Sequence, residues 1–300
     1  MLIPNDIESK LGFDKIRERL RSSCSSEHSR ELIDQIVFET HSGTLHRMLS
    51  EADEMVRLKA AGSEPPLNYS FDIRSQLKYI QTPGTFLQPA DFLDLLKALN
   101  SAHALSGFFE KRRNEFPYLM GVVDELSVNE DFIRDITEKI SETGEVRDSA
   151  SSELARIRRG ITAARNRLRK SLDRIFRQAV KDGYVPDKSS ITVRDGRMVI
   201  PVLAEYKRRV PGFVHDESST GQTVFLEPAE VLESNNEIRE LEYAEKREVI
   251  KILTSLTDLL RDDLGAVKGM LDVLAHLDML RAKARLAREL DATLPLSLIH

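Results

Sequence analysis

The segment Ser151–Lys181 reads SSELARIRRGITAARNRLRKSLDRIFRQAVK, with no proline and a single glycine, Gly160. Its apolar residues recur in steps of three and four, at Leu154, Ile157, Ile161, Ala164, Leu168, Leu172 and Ile175. A seam this narrow is typical of a long helix that packs against one partner. It predicts a helix of about 30 residues, ~45 Å long at 1.5 Å per residue. Ser151 is suited to cap its start and Gly183 to end it.

A second long helix is predicted from Pro228 to about Leu264. Its seam residues are Val231, Ile238, Leu241, Val249, Ile252, Leu256 and Leu259. At the same rise per residue this helix spans ~50 Å. Two long helices on either side of a short insert most simply form an antiparallel arm with the insert at its tip.

The insert between the two helices has strand chemistry. Ile191–Arg194 and Arg197–Ile200 flank Asp195-Gly196, the dipeptide that a two-residue type I′ hairpin favours. A second pair of strands is predicted at Phe213–Asp216 and Thr223–Leu226, joined by a loop that contains glycine. The middle of the chain is therefore predicted to be helix, small β module, helix.

The remaining segments predict amphipathic helices of ordinary length, at Ile7–Leu20, Leu45–Leu58, Pro89–Phe109 and Gly265–Leu290. The predicted fold class is mainly α. The predicted domains are a helical core at residues 1–148, long helices at 149–182 and 229–264, a β-rich insert at 183–228 and a return helix of the core at 265–300.

Composition excludes several classes of protein. The 300 residues are 41% hydrophobic and 31% charged, with no Trp, 14 Gly and 11 Pro, which argues against a β-sandwich or barrel. No apolar run approaches the ~18 residues that a membrane-spanning helix needs, and no secretory signal is visible. The single cysteine, Cys24, cannot form a disulfide within the chain. We therefore expect a cytoplasmic protein with no membrane partner.

Positive charge is concentrated in the first long helix. Residues 154–181 hold ten Lys or Arg and one acidic residue, Asp173, although the whole chain has a net charge of −5. Such a helix can attract the phosphates of a nucleic acid. Alternatively, it can pair internally, because residues 229–262 of the second helix hold nine acidic residues against five basic ones. Charge alone leaves both interpretations open.

A second basic group is Lys207-Arg208-Arg209, in the loop between the predicted hairpins. Arg194 and Arg197 flank the Asp-Gly turn and add two further cations. These five side chains could grip phosphates. However, residues 183–228 contain six basic and six acidic residues, so a solvated loop remains the alternative.

No pattern of residues indicates catalysis or metal binding. His215, Asp216 and Glu217 are adjacent, but neighbours in a strand point to opposite faces, so adjacency creates no relay. The chain contains neither G-x-x-x-x-G-K-[ST] nor G-x-G-x-x-G, the common phosphate-binding sequences. Cys24 has no partner motif and is expected to be inert. We predict no catalytic residue, no metal and no cofactor in this chain.

The β-rich insert closely resembles one known family. The residues that carry the resemblance are Ile191–Arg194, Asp195, Gly196, Arg197, Val199–Val202, Glu205, Tyr206, Arg209–Gly212, Val214, His215, Asp216, Ser218, Gly221, Thr223, Phe225, Glu227 and Pro228. Supporting matches are Leu11–Ile16, Gly144–Val146, Asp148–Ser151, Asn235–Glu237 and Arg239–Leu241. The family is the second bacterial MutS paralogue, the form that carries a C-terminal Smr nuclease domain.

The resemblance implies a MutS-type core, two long lever helices and a clamp inserted at their far end. Full-length members resemble dimeric ATPases that bind branched or otherwise non-B-form DNA and restrain recombination, or that engage collided ribosomes. ATP and Mg are expected only for the full-length protein, since the P-loop and the nuclease domain follow the lever region. By similarity this chain neither hydrolyses ATP nor cuts nucleic acid. The resemblance assigns no catalytic role to the motif residues, which we interpret as structural.

The leading hypothesis is a nucleic-acid-binding core, lever and clamp. Its predicted contacts are Arg194, Arg197, Lys207, Arg208 and Arg209 in the clamp, with long-range attraction from Arg158, Arg165 and Arg169. The alternative is an assembly arm that mediates dimerisation or docks a ribosome, with its charges paired internally.

Overall fold

A computed structural model describes residues 7–68, 72–126 and 128–295. The helices are α1 (Ile7–Leu11), α2 (Phe13–Ser23), α3 (Glu27–Asp34), α4 (Ser42–Ala60), α5 (Arg74–Tyr79), α6 (Pro89–Glu110), α7 (Pro117–Val123), α8 (Glu130–Lys139), α9 (Ser152–Lys181), α10 (Leu232–Asp262) and α11 (Leu264–Glu289). The strands are β1 (Thr192–Arg194), β2 (Arg197–Leu203), β3 (Gly212–Glu217) and β4 (Thr223–Pro228). The chain is thus mainly helical with a small antiparallel sheet, as predicted.

The chain divides into two compact units. Unit 1 consists of Met1–Glu145 and Leu253–His300, and unit 2 of Val146–Ile252. Helix α10 contributes residues to both. The predicted domain boundaries stay predictions, and the predicted core segments at 1–6 and 296–300 lie outside the described residues. Within the described ranges, no helix is long and apolar enough to cross a membrane.

Unit 1 is organised around α11, which packs against α2, α3, α4 and α6. The sequence predicts an amphipathic helix here, but α11 is buried on most sides. Consecutive residues such as Val273, Leu274 and Ala275 are all buried, because neighbours surround the helix. A helix enclosed in this way has no solvent face to reveal by periodicity.

The predicted helix over Ile7–Leu20 is interrupted. Gly12 adopts a φ of 73°, a left-handed conformation that ends α1 and precedes α2. Glycine takes up this conformation without the steric cost that a Cβ imposes. The apolar spacing of Leu11, Ile16 and Leu20 continues across the break, so periodicity did not reveal it. Leu11 is in fact 75% exposed.

In unit 2, α9 has the limits that the sequence predicts. Ser151 caps it by accepting a hydrogen bond from the Leu154 backbone N–H at 3.0 Å, and its φ of −151° is extended. Beyond its end, Gly183 has a φ of 73°. The seam from Leu154 to Leu172 is buried, and Ile175 is half-buried.

Helix α10 begins at Leu232, after a short 3₁₀ turn over Ala229–Val231. The prediction that Leu259 belongs to the buried seam is wrong. Leu259 is 43% exposed, whereas Leu260 is fully buried. Leu253 and Leu256 are also buried, so the apolar face advances in steps of three and four from Leu253 to Leu260. The predicted seam ran through Leu259 because it did not allow for the gradual rotation of the apolar face around the helix.

The four strands form one sheet in the order β1-β2-β4-β3. In the β1–β2 hairpin, Asp195 and Gly196 both have positive φ, 48° and 73°, as a type I′ turn requires. The sequence predicts two separate hairpins, but antiparallel pairing of β2 with β4 joins them. Pro201 lies in β2 opposite Phe225, beyond the last residue that pairs with β1, so its missing N–H breaks no bond to β1.

Apolar residues of this sheet share a core with α9 and α10. The buried members of this cluster are Ala164, Leu168 and Leu172 from α9, Ile200 and Val202 from β2, Val224 and Leu226 from β4, and Val210, Val231 and Ile238. Because both helices and two central strands meet here, the sheet is fixed to the helix pair within unit 2.

A substitution of Gly212, at the start of β3, would test how closely β3 approaches β4. A Cβ on Gly212 would lie 2.3 Å from the carbonyl oxygen of Glu227, so backbone would have to move. We expect Gly212→Ala to lower the free energy of unfolding by about 1–3 kcal/mol and to speed amide hydrogen exchange in β3 and β4. Urea denaturation and hydrogen exchange measure both effects.

The matched control is Gly107→Ala in α6, where a Cβ would meet no atom within 4 Å. This change should stabilise the protein by about 0.5–1 kcal/mol, because alanine is the better helix former. Equal stability of Gly212→Ala and the wild type would contradict the close approach of β3 and β4.

Candidate nucleic-acid interface

The loop Lys207–Arg209 connects a 3₁₀ turn at Ala204–Tyr206 to β3. All three side chains are exposed, and none forms an ion pair or hydrogen bond within the described part of the chain. The loop is nonetheless anchored: the Arg209 N–H donates to the Tyr206 carbonyl at 2.8 Å, and the next residue, Val210, is buried. Three unpaired cations are therefore held on an ordered turn.

Arg194 lies on a different part of the same sheet. Its guanidinium carbon is 4.1 Å from the centre of the Phe225 ring, and its Nε lies 3.0 Å from an Asp216 carboxylate oxygen. The arginine side chain is 38% exposed. Arg194 is thus oriented by an aromatic ring and an acid while part of its guanidinium remains open to solvent.

Arg197, predicted to contact phosphate, has other partners. Its Nη1 donates to Oε1 of Glu227 at 2.7 Å, and its Nη2 donates to Oδ1 of Asn236 at 2.6 Å. The arginine side chain is only 14% exposed and the Glu227 side chain is fully buried. Phosphate binding by Arg197 would have to compete with a buried carboxylate.

The Glu227 carboxylate has two further partners. Its Oε2 lies 2.6 Å from Nε2 of His215, and its Oε1 accepts a hydrogen bond from Nδ2 of Asn235 at 2.8 Å. Asn235 also donates to the Met198 carbonyl and accepts from the Met198 N–H. This Glu227 network therefore links β2, β3, β4 and α10.

His215 reaches Glu227 from a β-bulge. The register of β3 against β4 shifts between Val214 and Asp216, which leaves His215 as the extra residue. Sequence reasoning listed His215 and Glu227 as motif residues but did not connect them, because their contact spans twelve residues of chain. The available signal was a polar residue within or directly after each predicted strand of the second pair.

Of the other eight motif residues, four lie in turns and four in β3 or β4. Asp195 and Gly196 form the first hairpin turn; Gly221, with a φ of 69°, lies in the second. In that second turn the Ser218 hydroxyl accepts a hydrogen bond from the Thr223 N–H at 3.1 Å. Pro228 pairs with Gly212 at the end of β4. These placements give the named residues positions in turns and strand pairs of the sheet.

The first half of α9 pairs with acids of α10. Arg158 donates to Glu245 at 2.7 Å, and Arg165 donates to Glu242 at 2.6 Å. Burial acts to lower the pKa of Arg158, but hydrogen bonds to Asp148 and Glu245 outweigh it and raise the pKa above its ordinary value. The predicted long-range cations Arg158 and Arg165 are thus partly neutralised within unit 2.

The C-terminal half of α9 keeps more of its charge. Arg169, Lys170, Arg177 and Lys181 make no side-chain hydrogen bond or ion pair among the residues described. Only Arg169 belongs to the predicted contacts. Sequence reasoning missed the other three, although their spacing along the helix was a visible signal.

Elsewhere in the described ranges, no group of three or more His, Cys, Asp or Glu residues could hold a metal ion. Cys24 is buried at 4% exposure in unit 1, where it packs with Leu20, Ile33 and Met279. Burial, reinforced by the negative charge of Asp278, raises the pKa of the Cys24 thiol to about 11.

The Glu227 network yields a prediction about stability. Glu227→Gln leaves the Arg197 charge without its carboxylate in a buried site, so we expect a loss of about 3–5 kcal/mol in the free energy of unfolding of unit 2. The matched control is Glu237→Gln, since Glu237 is 46% exposed and pairs with the exposed Arg167. That change should cost less than about 1 kcal/mol. Equal effects of the two changes in urea denaturation would contradict a structural role for the network.

The raised pKa of Cys24 predicts low reactivity. At about pH 8, near the ordinary pKa of a thiol, iodoacetamide should alkylate Cys24 far more slowly in the folded protein than in urea, because the thiolate is the nucleophile. Mass spectrometry over time measures the two rates. Equal rates would show that the Cys24 site is open.

The chain is similar to known proteins over nearly its whole length. It is 35% identical over 288 residues to Endonuclease MutS2 of Geobacillus sp. (strain WCH70), which covers 95% of this chain and 36% of the relative. Endonuclease MutS2 of Thermomicrobium roseum is 38% identical over 295 residues, again 95% of this chain and 36% of the relative. For that of Symbiobacterium thermophilum the identity is 34% over 285 residues, 95% of this chain and 35% of the relative.

No family model matches the chain. The chain spans about 36% of the length of the curated relatives. These identities confirm the resemblance that the β-rich insert carries: over 95% of its length the chain is similar to part of the MutS2 proteins.

Proposed function

We propose that unit 2 binds the sugar-phosphate backbone of nucleic acid through Lys207, Arg208 and Arg209. The observation that carries this proposal is that three adjacent cations are exposed, unpaired within the described chain and fixed on an anchored turn. Phosphate contacts of this kind give affinity and position without reading base sequence. Arg194, whose side chain is 38% exposed beside the Phe225 ring, adds a fourth cation on the same sheet.

Within a longer MutS2-like protein, α9 and α10 act as the lever and the sheet as the clamp. The ligand is branched or otherwise non-B-form DNA, and the biological consequence is suppression of recombination by a homodimer in the cytoplasm. The relatives are named as endonucleases, which are enzymes that act on nucleic acid. This supports nucleic acid as the ligand over a dimerisation or ribosome-docking arm.

Nucleotide chemistry does not enter this proposal. The chain holds no G-x-x-x-x-G-K-[ST] sequence, so its residues do not fit ATP and Mg in a P-loop. Binding through Lys207–Arg209 is electrostatic and needs no cofactor. Cutting of nucleic acid and ATP hydrolysis are proposed for other parts of a full-length protein.

The test is binding of the full chain to a four-way DNA junction and to a matched linear duplex across a salt series. The wild type should prefer the junction and lose affinity steeply with salt, because bound cations release counterions from the DNA. Replacing Lys207, Arg208 and Arg209 by alanine should weaken binding to all sequences and reduce the salt slope by about 2–3, close to 0.9 per lost phosphate contact.

A control replaces Lys78, Lys111 and Lys268 by alanine, which removes the same charge from exposed positions in unit 1. Its affinity and slope should stay close to those of the wild type. Unchanged affinity and slope in the Lys207–Arg209 variant would reject the loop as the contact.

A further inference from the structure

A stripe of cations runs along the solvent face of α9 in its C-terminal half. It consists of Lys170, Arg174, Arg177 and Lys181, in steps of four, three and four. At 3.6 residues per turn these positions fall on one side of the helix, opposite the buried seam residues Leu168 and Leu172. The stripe therefore faces away from the core of unit 2.

The stripe lines an open, shallow groove that is formed by side chains of α9 alone and contains little opposing charge. Its four cations line the groove together with Asp173 and Gln178. Of these four cations, only Arg174 has an ion-pair partner within the described chain, the exposed Glu230. The Gln178 amide donates to the Asp182 carboxylate at 2.9 Å. Asp173 is the one acidic residue among the residues that line the groove. Positive charge dominates the groove.

The dimensions suit a phosphate backbone. At 1.5 Å per residue, the eleven steps from Lys170 to Lys181 cover about 16 Å, and neighbouring cations are about 4.5–6 Å apart along the axis. One strand of a B-form duplex carries a phosphate every ~3.4 Å of its axis, so the stripe spans about five phosphates. A straight helix presents these charges in a fixed row.

The lining favours a duplex over a single strand. Binding of single strands relies on aromatic side chains on which bases stack, and no aromatic residue lines this groove. The nearby Phe176 packs against the core of unit 2 instead. A groove with cations and no stacking platform contacts backbone and reads no base.

We propose that this stripe is a second contact surface, which holds one arm of a double-stranded nucleic acid along α9. The proposal rests on the proposed function, because the stripe and the loop Lys207–Arg209 act on the same kind of ligand. It goes beyond it in naming a separate surface and in specifying duplex backbone as what that surface binds.

The test compares two variants of the full chain that each lose three positive charges. The stripe variant carries Lys170→Gln, Arg177→Gln and Lys181→Gln, and the control carries Lys78→Gln, Lys111→Gln and Lys268→Gln. Fluorescence anisotropy measures binding to a linear duplex and to a single strand of equal length over a salt series. The stripe variant should bind duplex about tenfold more weakly, with a salt slope lower by about 2.7, while the control changes less than about twofold. The stripe variant should lose less affinity for the single strand than for the duplex.

Three results of this comparison would overturn the proposal. If the stripe variant matches the control while the Lys207–Arg209 variant is weakened, the stripe is rejected and the proposed function stands. If the wild type binds neither nucleic acid at low salt, the proposed function fails as well. If polyglutamate binds the wild type but not the stripe variant, while both proteins bind duplex with equal affinity, the surface binds an acidic protein instead.

A second variant separates charge from folding. Lys170→Arg with Lys181→Arg keeps both charges on exposed helical positions, so it should bind duplex as the wild type does. Equal losses in this variant and in the stripe variant would overturn the proposal, because the effect would then not follow charge. Helix content measured by circular dichroism accompanies each binding curve.

Discussion

One fully buried carboxylate, that of Glu227 near the end of β4, links four elements of unit 2. Arg197, His215 and Asn235 surround it, and they come from β2, β3 and α10 respectively. A buried charge is costly unless it is paired and hydrogen-bonded, so these four elements have one arrangement that satisfies Glu227. The loop Lys207–Arg209 joins β2 to β3, which are two of the strands that the network links. The position of the candidate contacts thus depends on a residue that no ligand reaches.

The charge of α9 is paired to different extents along its length. Arg158, Arg165 and Arg167 meet Glu245, Glu242 and Glu237 of α10, whereas the cations opposite the seam face solvent. Exposed ion pairs contribute little to stability, so their main effect is on the electrostatic potential. The pairs reduce the positive potential along α9 as far as Arg167, and less of it is reduced beyond that residue, where only Arg174 of the stripe has an ion-pair partner within the described chain. Internal pairing and the proposed ligand attraction, which charge counting presents as alternatives, therefore fall on different stretches of one helix.

The parts of the fold that sequence predicts are those determined locally. Ser151 caps α9 through a residue three positions away, and Asp195-Gly196 sets its own turn. The Glu227 network and the pairing of β2 with β4 depend on contacts between distant segments, which no short pattern encodes. For the candidate site, the exposure of Lys207–Arg209 followed from its place in a loop. The pairing of Arg158 with Glu245 could not be predicted, because it depends on the register of two helices far apart in the chain.

Arg174 shows how a ligand would act on a surface that is already partly paired. It contacts Glu230 from the middle of the stripe, and both side chains are more than half exposed. Such a pair is worth less than about 1 kcal/mol, so a phosphate can replace the carboxylate at little net cost or gain. The affinity of the stripe would then come from Lys170, Arg177 and Lys181, which give up no ion pair within the described chain. Because that affinity arises from counterion release, it should depend more on salt than on the sequence of the duplex.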